Sequence, residues 1–584
     1  MRLSVLRQIP EDPALRRDWN ALVARSGDAQ VFYTYEWALA VQRAYSEVLR
    51  PFIFLAYDEA NALRGVAALA ESAEKEVSFL CATTGDYCDF LSSREDRAEF
   101  VASVFSALRA GNTASVTLTN LPADSPTEKA IRKGARDAGY HVFARLAYDC
   151  AQYSTKVLDR AKNEKPRVAR PKMIRRALKA MSAGGTIRVD HIQSAGAAAD
   201  LLPAFTRAHV GRFLVTNRIS NLARPERRVF LSELTHLLAD SGWLCLTRMM
   251  AGDRIIAWNY GFRFHGSWFW YQPTFESDLE KHSPGYCLLA KIVEEAAENP
   301  EFHTVDLGLG AEDYKGRVAN QSRKTLCVNV DTALTRHLMT MCRYGASRLA
   351  QASPVIEKAL RSGRDALQFL KKRVNTDGSK ATFLWGLRRL RTSCFSRDEV
   401  LFYEFTANSL AKSNSLTLVS IDLDVLAEAA MQYPDEEGTL AYLLRCAPRL
   451  HKDCSGFALL NPQGEFVHFT WAGPFSGFHW SELNSTLPSP SPDSVILFDS
   501  WTPVAQRGKG YYAPTLALVS ERIHQQGKRA WGFSAATNTS SIRGLEKMGF
   551  PRRFTVVRRK LLWWQWLKQE MVESTVNPEV LTAC

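Results

Sequence analysis

The chain has 584 residues, 46% apolar and 23% charged, with a formal net charge of +13. This composition excludes a fibre, a low-complexity tail and an extensively disordered chain, and the length exceeds what one core organises, so three or four units are expected. The 11 cysteines are scattered, with an odd total and no C-x-x-C pair, which argues against a disulfide framework or a zinc knuckle.

Residues 1–155 alternate helical runs (DPALRRDWNALVARS, YEWALAVQRAY) with short apolar runs (PFIFLAY, GVAALAE, ASVTLTNL), an α/β pattern. The start, MRLSVLRQIP, lacks a signal-peptide core, and no stretch approaches the roughly 18 apolar residues of a membrane span. A cytoplasmic location follows as the expectation. A polar, arginine-rich stretch then leads into the basic helix ARPKMIRRALKAMSAGG, which suits either a solvated face or contact with phosphates.

Within a second domain expected at 156–335, residues from about 187 to 332 resume the α/β pattern. Strands WLCLTRMM, RIIAWNYGFRF, SWFWYQP and HTVDLGLG surround the helix GYCLLAKIVEEAAE, with Ser283 as its expected cap and Pro284 in its first turn. Asp306, Glu312, Tyr314 and Lys315 cluster after the last of these strands, and offer a base, a phenol and an ammonium, or else a solvated polar loop. Trp258, Trp268, Trp270 and Tyr271 suit an acceptor groove, or a core by their alternation. His282 beside Ser283 is a weaker candidate base, since a histidine at a helix start more often caps or faces solvent. No Gly-x-Ser-x-Gly turn and no metal-ligand spacing is present, so neither a serine hydrolase nor a bound metal is expected.

Residues 336–399 read as a basic helical linker: positions 336–397 hold 14 Lys+Arg against 3 Asp+Glu, an excess of 11. Interdomain packing is its first reading and contact with an anionic membrane surface its second. Nucleic acid comes third, because no recognised nucleic-acid module accompanies the charge. The aromatic run LLWWQWL at 561–567 adds an interfacial element.

Residues 400–570 form a last α/β unit, followed by a tail at 571–584. Two helices precede strands GFALLN, EFVHFTWAG and SVILFDSW; a glycine turn, the helix YYAPTLALVSERIHQQG, strand RAWGFSA, helix SSIRGLEKM and strand RRFTVVRRKLL follow. Arg507, Gly508, Lys509, Gly510, Tyr511 and Tyr512 make the turn and the helix start. Glycines that permit positive φ, two cations and the unpaired amides of a helix N-terminus suit a diphosphate. About thirty residues on, Asn538 and Ser541 open a capped helix that ends in Gly549-Phe550.

These two elements together resemble the GNAT acyltransferases, whose R-x-x-G-x-G/A loop holds the acyl-CoA pyrophosphate and whose N-x-x-S…GF element sits near the other end of the cofactor. Arg507 and Gly510 match, Tyr512 stands where a small residue is usual, and Leu545 stands where the family has its tyrosine acid. The resemblance therefore implies acyl-CoA as co-substrate, with Asp499 the nearest candidate base. Residues 1–332, through VFYTYEWALAVQRAY, TTGDYCDFL and the run from IIAWNYGFRF to VDLGLGAEDYKGRVAN, resemble the CelD/BcsL-type (BioF2-like) acyltransferases, GNAT-fold relatives of FemAB.

The fold expected is α/β, with three tandem GNAT-like mixed-sheet units: 1–155 and 156–335 as a FemAB/CelD-type pair, and 400–570 after the linker. The implied activity is acyl transfer to an amine, hydroxyl or saccharide acceptor in bacterial exopolysaccharide or cell-envelope precursor modification, in the cytoplasm or peripherally at the inner membrane. The rival readings are an acyl-CoA sensor without turnover and a FemAB-like transferase that takes aminoacyl-tRNA.

Overall fold

The computed structural model describes residues 1–156, 171–310, 312–351, 395–405, 416–561 and 564–571, together with Val374, Gly378 and Ala381. Most of the basic linker read at 336–399 lies outside the described residues; within them, helix Leu334–Gln351 opens it and strand Phe395–Glu404 closes it. The chain divides into two compact units, Met1–Arg212 with Ser220–Ala352, and Phe213–Ile219 with Ser353–Cys584. Among the described residues no helix is long and apolar enough to cross a membrane.

Unit 1 is built on one mixed sheet of 13 strands. Its middle shows how the two sequence regions are joined. Strand His141–Ser154 pairs antiparallel with Thr304–Leu309 on one side and with Gln321–Asp331 on the other, and Gln321–Asp331 in turn pairs with Ser115–Pro122. Each region thus lends its last strand to the other's edge, so the edges that would otherwise be left open are paired. The sequence signals for each strand are local; the exchange depends on partners nearly two hundred residues apart.

Unit 2 carries an eight-stranded sheet running from Thr417–Ser420 to Trp564–Met571. Helices Leu423–Gln432, Tyr512–His524 and Thr539–Lys547 accompany it. Leu401, Leu516, Val519 and Leu545 form one buried cluster, and Val400, Phe402, Trp480, Ile496 and Phe554 form another. Val400 and Leu401 are adjacent on one strand, so the two clusters occupy opposite faces. The terminal strand Trp564–Met571 was not anticipated as a strand, because its eight residues are exposed on both faces and show no buried alternation.

Among the described residues, a strand, a helix and a second strand parallel to the first occur three times. The parallel pairs are Val77–Phe79 with Ser115–Pro122, Ser267–Phe275 with Thr304–Leu309, and Ser494–Trp501 with Arg529–Ala535. The mixed α/β class expected from the sequence is therefore the class observed. Gly261 shows how tightly the second of these regions is built: a Cβ there would lie 2.3 Å from the backbone oxygen of Phe269. Backbone cannot yield as a side-chain end does, so Gly261→Ala is expected to destabilise unit 1 by about 3 kcal/mol, measurable by urea denaturation.

Candidate functional site

In unit 2 the parallel strands pair only at Ser494↔Arg529, Val495↔Ala530 and Ile496↔Trp531. Beyond that point they separate, and a cleft of about 860 Å³ opens between Leu497–Thr502 and Gly532–Ala535. The strand edges past the split can bond a ligand backbone. Ser494–Trp501 also bulges: against Phe466–Pro474 the register shifts by one residue between Phe469 and Trp471, and Asp499 takes a φ of 45°.

The glycine turn closes one end of this cleft. Gly508 and Gly510 adopt φ of 80° and 82°, and nothing lies within 4 Å of a Cβ built on either. Helix Tyr512–His524 starts without a side-chain cap, so its first amides are free to meet an anion. The Arg507 guanidinium lies 5.3 Å from the Trp501 ring centroid with Nε donating to the Thr502 carbonyl at 3.2 Å, and Lys509 Nζ donates to Gln506 Oε1 at 2.8 Å. Among the described residues neither cation forms an ion pair, and, against the effect of burial, the Arg507 charge acts on Glu436, helping to hold its carboxyl below the usual range.

Tyr512 is accommodated by the neighbouring helix. A Cβ on Gly544 would stand 2.6 Å from the Tyr512 ring, so the glycine makes the room that a small residue at 512 would otherwise provide. The Tyr512 hydroxyl shares a 2.9 Å hydrogen bond with Ser541 Oγ, and Asn538 caps Thr539–Lys547 by accepting from the Ser541 amide. Asn538, Ser541 and the buried Leu545 all line the cleft. Asp499 lines it too, but its carboxylate pairs with Arg449 at 2.5 Å and Arg445 at 3.7 Å. The carboxylate named as the nearest candidate base is therefore ion-paired to two arginines.

His468, passed over in the sequence because it sits in the apolar run EFVHFTWAG, also lines the cleft. It is 1% exposed, with Nδ1 2.7 Å from Thr502 Oγ1, and burial pushes its pKa down to about 3. It is a neutral positioning group for the end of the split strand.

In unit 1 the pairing of Ser267–Phe275 with Thr304–Leu309 likewise stops, at Phe269↔Asp306. Asp306 is buried at that point, and its carboxylate accepts from the Tyr87 hydroxyl at 2.9 Å, Gln152 Nε2 at 2.8 Å and the Gly308 amide at 2.8 Å. Burial raises its pKa, and the three donors oppose the rise. Lys315 is buried as well, spent on the Leu309 carbonyl and on Glu312 at 2.8 Å, so it is a local tie for the loop instead of a free ligand for substrate. Tyr314 accepts from the Trp270 indole at 3.3 Å.

Three further expectations are corrected here. Trp258, 2% exposed, packs on Phe205 in the core and does not line a groove. The Tyr271 hydroxyl is engaged: Arg227 Nη2 donates to it at 2.5 Å and it donates to the Thr84 carbonyl at 2.5 Å. Ser283 does not cap its helix, because at φ 50° its hydroxyl makes no cap hydrogen bond, while Pro284 does take the first turn. His282 ends the short helix Ser277–His282 and lies apart from the Asp306 cluster in every contact observed.

The residue of this cluster that sequence reasoning missed is Asp86, in TTGDYCDFL. A Cβ on Gly308 would lie 2.5 Å from Asp86 Oδ2, and Gly308 has φ 71°, so that glycine is required for the carboxyl to abut the strand end. Burial, and then the nearby Asp306, push the Asp86 carboxyl up to about 7. A carboxyl whose folded pKa exceeds its unfolded one stabilises below about pH 4, and that contribution is lost as pH rises through 7. Asp86→Asn should therefore raise the stability of unit 1 by about 2 kcal/mol above neutral pH, read by urea denaturation. A stabilising substitution at a half-buried carboxyl would mark a residue kept for function.

Residues 169–316 match the family model described as an acetyltransferase (GNAT) domain. No curated protein matches the chain. Among solved structures the chain is similar to FemX, at 8% identity and a TM-score of 0.38 over 58% of this chain and 99% of that one. It is also similar to L-PGS from Bacillus licheniformis, at 9% identity and a TM-score of 0.34 over 52% and 95% of the two chains. A GCN5-related N-acetyltransferase from Sphaerobacter thermophilus gives 14% identity and a TM-score of 0.29 over 56% and 95%.

Proposed function

We propose, on the premise that residues 169–316 form an acetyltransferase (GNAT) domain, that the chain transfers an acyl group from acyl-CoA to an amine or hydroxyl acceptor. The observation that carries the donor is the unit 2 cleft, where a split between parallel strands runs into a positive-φ glycine turn and an uncapped helix start. Arg507, Lys509 and the amides from Gly508 to Tyr512 would hold the diphosphate, and the edges of Leu497–Ser500 and Gly532–Ala535 would bond the pantetheine arm. Bound acyl-CoA supplies an activated thioester carbonyl. The bulge at Asp499 interrupts the ladder with Phe466–Pro474 beside the split, and a backbone amide there would supply the donor that a developing oxyanion needs. Resemblance to the CelD/BcsL-type transferases supports a saccharide or envelope-precursor acceptor.

The test is calorimetry of the full chain with acetyl-CoA, followed by thiol release in the presence of amine and saccharide acceptors. Arg507→Ala should weaken binding by about tenfold, the loss of one charge-assisted contact. No binding by the intact chain would end the reading. A second reading is favoured by Leu545 and by the paired Asp499: unit 2 holds acyl-CoA without turning it over. Tight binding with no thiol release for any acceptor would select it.

A further inference from the structure

At one end of the unit 2 sheet three strands, Phe395–Glu404, Arg552–Leu561 and Trp564–Met571, run side by side. Residues directly opposite each other in adjacent strands share a face. The register therefore sets Phe395, Leu561 and Trp564 in one row, and Arg397, Arg559 and Trp566 in the next row of the same face. Phe395 is 56% exposed, Leu561 45%, Trp564 69% and Trp566 47%. Further along the same face Val557, Leu401 and Thr555 are buried, so the sheet leaves its core and continues as a flange with its apolar row outermost.

The charges are placed to match. The row between these two, on the opposite face, is Ser396, Lys560 and Gln565. The nine residues of the outer three rows thus include Arg397, Lys560 and Arg559, and no carboxylate. Two residues of strand span about 7 Å, so the cations of the third row stand about that far behind the apolar row. An apolar element that enters a bilayer interface buries to roughly 5–10 Å, with its cations at the level of the headgroups. A second copy of this chain is a poor partner for the same tip, since it would bring three more cations against these three.

We propose that this flange is an interfacial anchor that docks the chain on an anionic lipid surface, with Phe395, Leu561, Trp564 and Trp566 entering the interface and Arg397, Arg559 and Lys560 meeting the headgroups. This does not rest on the reading of the cleft. It is tested by sedimenting the full chain with vesicles of phosphatidylcholine alone and with vesicles containing phosphatidylglycerol. Each cation near the surface contributes roughly a fivefold gain, so with three of them partitioning should be about a hundredfold stronger on the anionic vesicles and should fall as salt is raised.

Trp564→Ser with Trp566→Ser should lower binding by about tenfold or more. Arg397→Glu with Arg559→Glu, exposed positions that leave the core untouched, should abolish the preference for anionic lipid. Equal binding to both vesicle types, no binding to either, or unchanged binding by both double variants would overturn the proposal. So would a dimer in light scattering that the tryptophan variant converts to monomer, which would assign the face to a second copy.

Discussion

Replacing Gly510 by glutamate is expected to weaken acetyl-CoA binding by about a hundredfold or more while leaving unit 2 folded. Gly510 holds φ at 82°, a conformation that costs an ordinary side chain about 1–2 kcal/mol. No atom lies within 4 Å of a Cβ built there, so the new side chain meets no obstacle and projects into the space beside the turn. Its carboxylate would stand among the amides and the two cations that the diphosphate needs, and like charges in a partly dehydrated cleft repel strongly. Gly510→Asn separates the two effects, because asparagine tolerates the left-handed region and adds no charge. Calorimetry on both variants should show near-normal binding for the asparagine and severe loss for the glutamate. Equal affinity for wild type and the glutamate variant would place the diphosphate elsewhere.

Mild acid is expected to destabilise unit 2 more than unit 1. Burial pushes His468 in unit 2 and His209 in unit 1 down to about 3, the latter also beside Arg212 and Arg227. A histidine depressed in the folded state is protonated first in the unfolded chain. Its contribution is therefore complete above the unfolded value of about 6.5 and is lost progressively as pH falls toward 3. At about pH 5 each should cost about 2 kcal/mol relative to neutral pH. In unit 1 Asp86 works in the opposite direction over the same range, since its stabilising contribution returns as pH falls from 7. Urea denaturation at both pH values should show the unit 2 transition moving to lower urea and the unit 1 transition moving less. His468→Gln should flatten the unit 2 dependence; a dependence that survives the substitution would assign it to another group.

These predictions rest on features that differ in how far they could be read before folding. The helix starting after Gly510, the cap at Asn538, Pro284 in a first helical turn and the alternating apolar runs are all local properties of a few consecutive residues. Each follows from backbone geometry or from a period of 2 or 3.6. Tyr512 was legible only as an oddity. What makes room for it is Gly544, on another helix, and no local pattern connects the two.

The candidate chemistry was the least legible part. Asp499, Lys315 and Tyr271 have the residue types that chemistry requires, yet each is engaged by partners that lie elsewhere in the chain or across a tight loop: Arg449 and Arg445, Glu312 and the Leu309 carbonyl, Arg227 and the Thr84 carbonyl. Asp86 and His468 show the reverse: one lies in a run noted only for its family resemblance and the other in an apolar strand, and both become unusual only when burial shifts their protonation.

The sequence by itself determined the α/β class, the cap at Asn538, and the basic glycine loop beside a helix start, because those depend on short-range sterics and hydrogen bonding. Only the tertiary structure decided that strands His141–Ser154 and Gln321–Asp331 are exchanged within one sheet, and that Trp258 is core. It alone set the aromatic and cationic rows of unit 2 in register at a sheet end where Phe395, Leu561, Trp564 and Trp566 are exposed. Strand pairing and desolvation depend on residues brought together from distant parts of the chain, and a period read along one segment carries no information about its partner.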